Sequence, residues 1–530
     1  MELAGQFCGR FCPKNNSTRT VRKHGVSEQG DSLEAVRREK LRAIEALGID
    51  PWGERFDNHH PIDKVRNLPV DPANPEHRHP TRIAGRIVLR RVMGNVHFLD
   101  ILDATGRVQV MIGKKQVGEI GWKLAGLLDL GDLLGIDGAF GLTKTGEKTV
   151  FATAITILGK SILPHPDKHS GMVDTEFRLR HRYLDLTYHP EVMDRAQKRV
   201  RMIRTIRHYF EGHGFLEVET PTLHSVAGGA AAKPFETHHK ALDIPLVLRI
   251  ALELPLKRLL VGGMEKVYEI GRVFRNEGIS QRHNPEFTMM ELYQAYSDYR
   301  GMMDLVEGMV CACAKELHGD TQVPYAGGVI DFTPPWRRVT YAELLKEHAG
   351  ADMDDPDSLR AAAERHRLPT KGKDPDVIAQ DLFENVCEPH LEGPIFVHDY
   401  PASLCPLTKR KRGNPKVAER FELYIRKMEL ANAYTELSDP ILQEQTFRQQ
   451  LAGLPADESM ARMDEDFITA LSHGMPPAGG LGVGIDRLAM LLTDTTSIRD
   501  VILFPLLRPH HHKPTSSGDS PAEPTQDKQA

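Results

Sequence analysis

Cysteine is scarce: Cys8, Cys12, Cys311, Cys313, Cys387 and Cys405 are the six in 530 residues. They are too few and too scattered for a disulfide framework, so free thiols in a reducing, cytoplasmic setting are expected. Cys8 and Cys12 lack the second pair or histidine cluster that a four-ligand zinc site needs, and the histidines at 510–512 read as a solvated tail. Long apolar runs are missing too. Residues 124–142 come nearest, but Asp129, Asp132 and Asp137 interrupt them, which excludes a membrane-crossing helix and makes a soluble protein the expectation. Positive charge is not in excess: 68 Lys and Arg stand against 73 Asp and Glu, a net charge of −5. That argues against a simple basic nucleic-acid binder. Also absent are internal repeats and the glycine fingerprints of dinucleotide and P-loop folds.

What is present divides the chain into several parts, as its length predicts. Residues 1–30 are basic, with Arg10, Lys14, Arg19, Arg22 and Lys23 against Glu2 in the first 25. Their composition suits a disordered extension and an organellar transit peptide equally, and both readings stay open. Over 31–80, Asp31-x-x-Glu34 forms a capping box, and Leu33, Val36, Leu41, Ile44 and Leu47 predict one apolar helix face before Gly48. Arg37, Arg38, Lys40 and Arg42 form a basic face, either solvated or facing phosphates. Short strands fill 81–165, with turns at 93–95, 104–106 and 144–147 and a helix over about 115–128. Five strands and one helix suit a small barrel of the OB type, in which Phe98 could stack a base and Gln109 read its edge. A linker at 166–190 leads to a larger α+β domain over 191–510, and 511–530 are expected to be disordered. This domain opens with a helix over 191–211, whose face is expected to carry Val200, Ile203, Ile206 and Phe210, followed by an alternating strand over 215–220. Residues 340–392 are predicted to be a helical insertion, with strands resuming at Ile395.

The chemistry concentrates in three segments. Phe274-Arg275-Asn276-Glu277-Gly278 and His283-Asn284-Pro285-Glu286-Phe287 offer three different handles for a purine nucleotide. A guanidinium fixes phosphate by paired hydrogen bonds, a carboxylate reads an exocyclic amine, and an aromatic ring stacks on the base. Residues 479–488, Gly-Gly-Leu-Gly-Val-Gly-Ile-Asp-Arg-Leu, place a glycine strand before a helix, with Arg487 at the junction. Between them, Glu422 and Glu429 are candidates for Mg²⁺, which takes a few carboxylates together with phosphate oxygens. Alternation puts Asn432, Tyr434 and Glu436 on one face of a strand.

Residues 217–221, 274–293 and 479–487 resemble motifs 1, 2 and 3 of the class II aminoacyl-tRNA synthetases, in that order. The runs 274–280 and 282–293, with Gly228-Gly229-Ala230-Ala231, Asn432-Ala433-Tyr434-Thr435-Glu436-Leu437 and Arg182-Tyr183-Leu184-Asp185-Leu186, resemble the lysyl-tRNA synthetases of that class. The likeness covers about residues 31–508. It implies an OB-fold barrel that binds the anticodon, followed by an antiparallel-sheet catalytic domain with a helical insertion. The implied substrates are ATP, L-lysine and tRNA(Lys), with up to three Mg²⁺ and a homodimer, since motif 1 builds the subunit interface in this class. By position, Arg275 would hold the α-phosphate and the lysine carboxylate, the latter with Asn432. Glu277 would meet the adenine amine, Phe287 and Arg487 would sandwich the base, and His283 and Arg487 would approach the γ-phosphate. Glu422 and Glu429 would hold Mg²⁺. Gly229 and Glu253 would take the α-ammonium, Glu291, Tyr293 and Glu436 the ε-ammonium, and Tyr434 would lie along the aliphatic stem. Phe98, Gln109 and Glu147 match anticodon-reading positions.

The residues support the choice of amino acid independently, because three carboxylates suit a substrate with two ammonium groups. Four positions depart from the family pattern: Leu252 and Pro255 beside Glu253, where Pro and Tyr are usual, and Cys405 and Thr408 in Cys-Pro-Leu-Thr, where Ser-Pro-Leu-Ala is usual. Two rivals remain: a paralogue that attaches an amino acid to a protein lysine, and a non-catalytic RNA-binding relative. The paralogues lack a barrel, and retention of Arg275, Glu277, His283, Glu422, Glu429 and Arg487 argues against decay.

Overall fold

The computed structural model describes residues 28–509 except 75, 166–171, 231 and 452–462. The N-terminal extension, Cys8, Cys12, the histidines at 510–512 and the C-terminal tail lie outside the described residues, as does part of the linker. The chain divides into two compact units, Met1–Val173 and Asp174–Ala530.

The first unit is a closed barrel of β1 (His79–Met93), β2 (Val96–Leu102), β3 (Arg107–Gly113), β4 (Leu133–Leu142) and β5 (Lys148–Gly159), in the order β1-β2-β3-β5-β4. Helix α1 (Glu28–Ala46) precedes it, and α2 (Lys114–Leu127) lies between β3 and β4. Alternation along the strands sends Ile83, Leu99, Ile101, Val110, Ile136 and Val150 into the interior, where all are fully buried. Strand β1 serves two neighbours, pairing with β4 in its first half and β2 in its second, and a bulge between Ile87 and Leu89 bends it between them.

Helix α1 corrects the sequence reading. It begins at Glu28, so Asp31 lies inside it rather than at its cap. Leu33 and Val36 are 51% and 43% exposed, while Glu34 and Arg37 are buried with Ile44. Hydrogen bonding decided the orientation: Arg37 donates to the carbonyls of Leu130, Ser161 and Leu163 at 3.0–3.1 Å. Lys40 also pairs with Asp129 at 2.6 Å. A guanidinium with three carbonyl partners outweighs two half-exposed aliphatic side chains.

In the second unit two short helices, Thr175–Arg180 and Arg182–Tyr188, precede helix α3 (Pro190–Gly212); strand β6 (Leu216–Glu217), α4 (Glu253–Val261), β7 (Lys266–Phe274), β8 (Glu286–Ala295) and α5 (Tyr299–His318) come after it. Then come β9 (Arg337–Thr340), β10 (Ile395–Pro401), β11 (Asn414–Ile425), β12 (Met428–Thr435), β13 (Ala478–Gly484) and α6 (Ile485–Leu492). The strands form one sheet in the order β9-β10-β11-β12-β13-β8-β7-β6, with the short strand Arg410–Lys411 beside β11. Pairing along that order is antiparallel except for β9 with β10 and β6 with β7. Helices α3 and α5 share one core with the sheet through Met202, Ile206, Phe210, Met302, Val306 and Met309. The buried stripe of α3 runs at i, i+4 through Met202, Ile206 and Phe210, so Val200 falls on the opposite side and is 68% exposed, contrary to expectation. The expected strand over 215–220 shortens to Leu216–Glu217 because Thr220 turns its N–H and hydroxyl to Glu269 Oε2 instead of extending a ladder.

Between β9 and β10 the chain is helical, with segments at Tyr341–Leu344, Leu345–Ala349, Pro356–Arg365, Pro375–Leu382 and Phe383–Cys387. Thr340 and Glu343 form a reciprocal capping box at the start. Tyr341, Leu344, Leu359, Ile378 and Leu382 bury themselves against Val397 and Tyr400 of β10. No helix among the described residues is long and apolar enough to cross a membrane.

Candidate active site and barrel groove

Register explains why residues far apart in sequence meet on one face of the sheet. Across β11, β12, β13 and β8, the positions Glu422, Asn432, Gly482 and Glu291 are directly paired in one row. Two residues along, Arg420, Tyr434, Gly480 and Tyr293 form a second row on the same face. Both rows carry glycine on β13, so the sheet has a floor without side chains between two polar walls. Above it lies a cleft of about 1140 Å³ lined by Gly229, Glu253, Arg275, Glu277, His283, Phe287, Glu291, Tyr293, Glu429, Asn432, Tyr434 and Arg487, among others. The structure thus brings together twelve of the candidate residues.

Glu436 lies just beyond β12, fully buried at Gly480: a Cβ on that glycine would collide with Glu436 Oε1 and stand 2.5 Å from the Tyr293 ring. Three acids therefore converge on one end of the cleft. Glu291 accepts from the Leu252 N–H at 2.9 Å and from the Tyr293 hydroxyl at 3.1 Å. Burial, and then the neighbouring Glu253, push its pKa up to about 7. Burial also raises the pKa of Glu436, with Glu253 adding to the effect and Lys257 opposing it. Glu436 Oε1 has no hydrogen-bond partner among the described residues. A buried carboxylate oxygen without a donor, beside two other acids, favours a cation at this end of the cleft.

The sequence reading missed Lys257. It is fully buried on α4, 2.5 Å from Glu253 Oε1 and ion-paired with Glu436 Oε2. The i, i+4 spacing of Glu253 and Lys257 was the one available signal, because that spacing puts two side chains on one helical face. The arrangement also explains the departures beside Glu253. Leu252 contributes a backbone N–H to Glu291, a donor that the usual proline lacks, and Pro255 sits in the first turn of α4, where its missing N–H costs nothing. Gly229, at φ +84, approaches the same acid; a Cβ there would stand 3.0 Å from Ala251 Cβ and 3.2 Å from Glu253 Cβ.

At the other end of the cleft, the Arg275 guanidinium lies 5.2 Å from the Phe287 ring centre, and its Nε makes one long bond, 3.4 Å, to the Ile250 carbonyl. Most of that fork has no acceptor among the described residues. The His283 ring is 2.9 Å from Ser280 and 3.3 Å from Arg487. Burial and the Arg487 charge lower the pKa of His283, so its ring is neutral near pH 7. Arg487 also donates to the Glu429 carbonyl at 2.6 Å. Helix α6 is fixed by Asp486, which accepts from Arg199 at 2.6 Å and from the Thr288 N–H at 2.7 Å.

Glu422 lies in an adjoining cavity of about 570 Å³ that shares His283, Arg420, Glu429 and Arg487 with the cleft. It accepts from the hydroxyls of Tyr400 (2.9 Å) and Tyr424 (2.6 Å) and from Arg420. Arg420 also donates to Asn432 (3.1 Å) and to Cys405 Sγ (3.4 Å), so the cysteine that departs from the family pattern is an acceptor here. Burial, then Glu422, raises the pKa of Glu429. A divalent cation would relieve that repulsion. No group of three or more His, Cys, Asp or Glu residues that could hold a metal occurs among the described residues. Two carboxylates are the kind of donor set that Mg²⁺ takes together with phosphate oxygens.

In the first unit, Phe98, Gln109 and Glu147 line one groove of about 640 Å³ with Arg66, Arg91 and Arg107. Gln109 donates to Thr149 at 2.8 Å and accepts from Arg91 at 2.9 Å, Phe98 is half-buried and Glu147 is exposed. An aromatic face, an amide and a basic rim are what single-stranded nucleic acid requires.

Comparison with known proteins agrees with this geometry. Residues 174–508 match the family model described as tRNA synthetases class II (D, K and N), and residues 81–158 match the OB-fold nucleic acid binding domain. The chain belongs to the class II tRNA synthetases. Among its relatives is the lysine–tRNA ligase of Moorella thermoacetica, 50% identical over 487 residues, which are 91% of this chain and 99% of that protein. The lysine–tRNA ligases of Pelotomaculum thermopropionicum and Thermoanaerobacter sp. are each 48% identical, over 92% and 91% of this chain and 97% of their own lengths.

Proposed function

We propose that the chain is a lysine–tRNA ligase. It joins L-lysine to ATP as lysyl-adenylate, and then transfers the lysyl group to the 3′-terminal ribose of tRNA(Lys). The observation that carries the choice of amino acid is the convergence of Glu253, Glu291 and Glu436 on a glycine floor, with a donor-free oxygen on Glu436. Glu253 and the Gly229 carbonyl take the α-ammonium; Glu291, Tyr293 and Glu436 take the ε-ammonium, and Tyr434 covers the stem. Asn432 and Arg275 hold the carboxylate. Glu277 accepts from the adenine amine, Phe287 and Arg487 enclose the base, and His283 and Arg487 reach the terminal phosphate.

No side chain acts as a nucleophile. A lysine carboxylate oxygen attacks the α-phosphorus, the bond to the bridging oxygen breaks, and diphosphate leaves. A ribose hydroxyl then attacks the adenylate carbonyl, and AMP leaves. Rate comes from alignment and from positive charge placed where negative charge develops, which Arg275 supplies at the α-phosphate. Glu422 and Glu429 would hold Mg²⁺, which neutralises phosphate charge when bound. The barrel groove, through Phe98, Gln109 and Glu147, reads the anticodon. Exposed Leu216 on β6, and Leu223, Leu242 and Ile244 in or beside the separate small sheet of Leu223–His224, Glu236–His239 and Ile244–Leu248, support a homodimer. Free, buried Cys311, Cys313, Cys387 and Cys405 suit the cytoplasm.

The test is lysine-dependent ATP–diphosphate exchange, followed by charging of tRNA(Lys). Absence of exchange with folded protein rejects the enzyme; exchange without charging favours the protein-modifying rival. Two variants probe the two substrates separately. Phe98→Ala should lower kcat/KM for tRNA charging by about 10-fold or more, the scale of one lost stacked base, and leave exchange unchanged. A parallel fall in exchange would contradict a role confined to tRNA. Gly480→Ala should raise KM for lysine about 10-fold or more, because overpacking the floor costs roughly 1–3 kcal/mol. Steady-state kinetics with each substrate varied in turn would show this, and an unchanged lysine KM would reject the floor.

A further inference from the structure

The carboxylates of the cleft are not balanced by the protein alone. Lys257 bridges Glu253 and Glu436, has no exposed surface, and is backed by the Phe467 ring at 6.0 Å. None of the roles assigned above uses it. Burial disfavours its ammonium, but Glu253 and Glu436 outweigh burial and raise its pKa, so it is charged whether the cleft is empty or filled.

We propose that Lys257 is a built-in counter-ion that sets the charge of the amino-acid pocket. With lysine bound, its ammonium groups offset the burial that raises Glu291 and Glu436; three carboxylates and the Lys257 ammonium then leave two negative charges for a substrate that brings two ammonium groups. The inference rests on the lysine reading above and deepens it. Specificity then depends on charge count as well as contact: a monocationic amino acid leaves one buried carboxylate uncompensated. The same residue orients the acids. Held by Lys257 through Oε2, Glu436 presents the unpartnered Oε1 at Gly480. Lys257 is thus a positioning residue that touches no substrate atom. The other titratable groups facing the acids are Tyr293 on β8, Tyr434 on β12 and Arg275 after β7. None of them can take over: the two tyrosines are neutral near pH 7, and Arg275 is engaged with the substrate carboxylate.

Lys257→Met keeps the volume and removes the charge. Without the Lys257 charge, which lowers the pKa of Glu436, the acids hold a proton to higher pH than in the wild type, and lysine must displace it. KM for lysine at pH 7 should rise roughly 30-fold or more, the scale of breaking one partner of a buried pair. The defect should shrink by about tenfold at pH 8.5, where the extra proton is lost. A packing defect would not recover with pH. Lys257→Arg should keep the wild-type pH profile.

A second comparison covers the case in which Lys257→Met does not fold. Glu436→Gln leaves one net negative charge, and adding Lys257→Met to it restores two, so the double variant should use lysine better than Glu436→Gln alone. Replacing both members of a buried pair is tolerated far better than breaking it. The readout is lysine-dependent diphosphate exchange across pH. A pH-independent defect in Lys257→Met, or a double variant worse than Glu436→Gln, overturns the counter-ion role and leaves the lysine assignment standing. Wild-type protein without lysine-dependent exchange overturns that assignment, and this inference with it.

Discussion

Arg275→Ala is expected to lower lysine-dependent diphosphate exchange on the order of 10³-fold, the upper range for removing one preorganised charge donor from a transition state. Arg275 follows β7, where its backbone N–H is fixed by the Pro285 carbonyl at 2.8 Å, so its place does not depend on a bound nucleotide. Its side chain is largely sunk beside Phe287, yet among the described residues it spends only one long hydrogen bond. Burial lowers its pKa, opposed by Glu277, Glu291 and Glu429, but a guanidinium starts so high that the group stays charged. A charged fork held in place with its donors unspent is preorganised for anions, which is the basis for the proposed contacts to the α-phosphate and the amino-acid carboxylate. Arg275→Lys should recover little, since a point charge cannot make both paired contacts. Exchange within tenfold of wild type in the alanine variant would remove Arg275 from the reacting centre.

Local segments were the legible part of this protein. The 274–293 stretch comprises the end of β7, the connecting loop and β8, so Arg275, Glu277, Phe287, Glu291 and Tyr293 come from one antiparallel hairpin and line one cleft. The barrel's strands were legible for the same reason, since alternation and turn residues act over a few positions. What escaped depends on contacts across long stretches of chain. Lys257 meets Glu253 within one helix but meets Glu436 only because β12 and α4 converge. The polar burial of α1 required carbonyls at Leu130, Ser161 and Leu163, which no helical periodicity reveals. Glu422 looked like an open metal ligand in sequence, whereas the structure surrounds it with Tyr400, Tyr424 and Arg420. A cation there competes with three donors, so Glu429, with fewer partners, is the more available of the two acids.

Glu436→Gln should separate the two small substrates most sharply. Lysine kcat/KM is expected to fall about 10²- to 10³-fold, while KM for ATP stays within about threefold. A charged hydrogen bond lost from a buried, water-poor site accounts for roughly 3–4 kcal/mol on this scale. The loss has two sources: the amide offers the ε-ammonium a neutral oxygen, and it leaves Lys257 with Glu253 as its single anionic partner. The nucleotide end is untouched, since Arg275, His283 and Arg487 make no contact with Glu436. Discrimination should fall with affinity. Norleucine, which lacks the ε-ammonium, leaves Glu436 uncompensated in the wild-type pocket but not in the variant, so the lysine-to-norleucine preference should drop along with lysine kcat/KM. Diphosphate exchange with each amino acid measures both effects. Equal losses for lysine and ATP, or an unchanged preference over norleucine, would show that Glu436 supports the fold of the cleft and not the recognition of a cation.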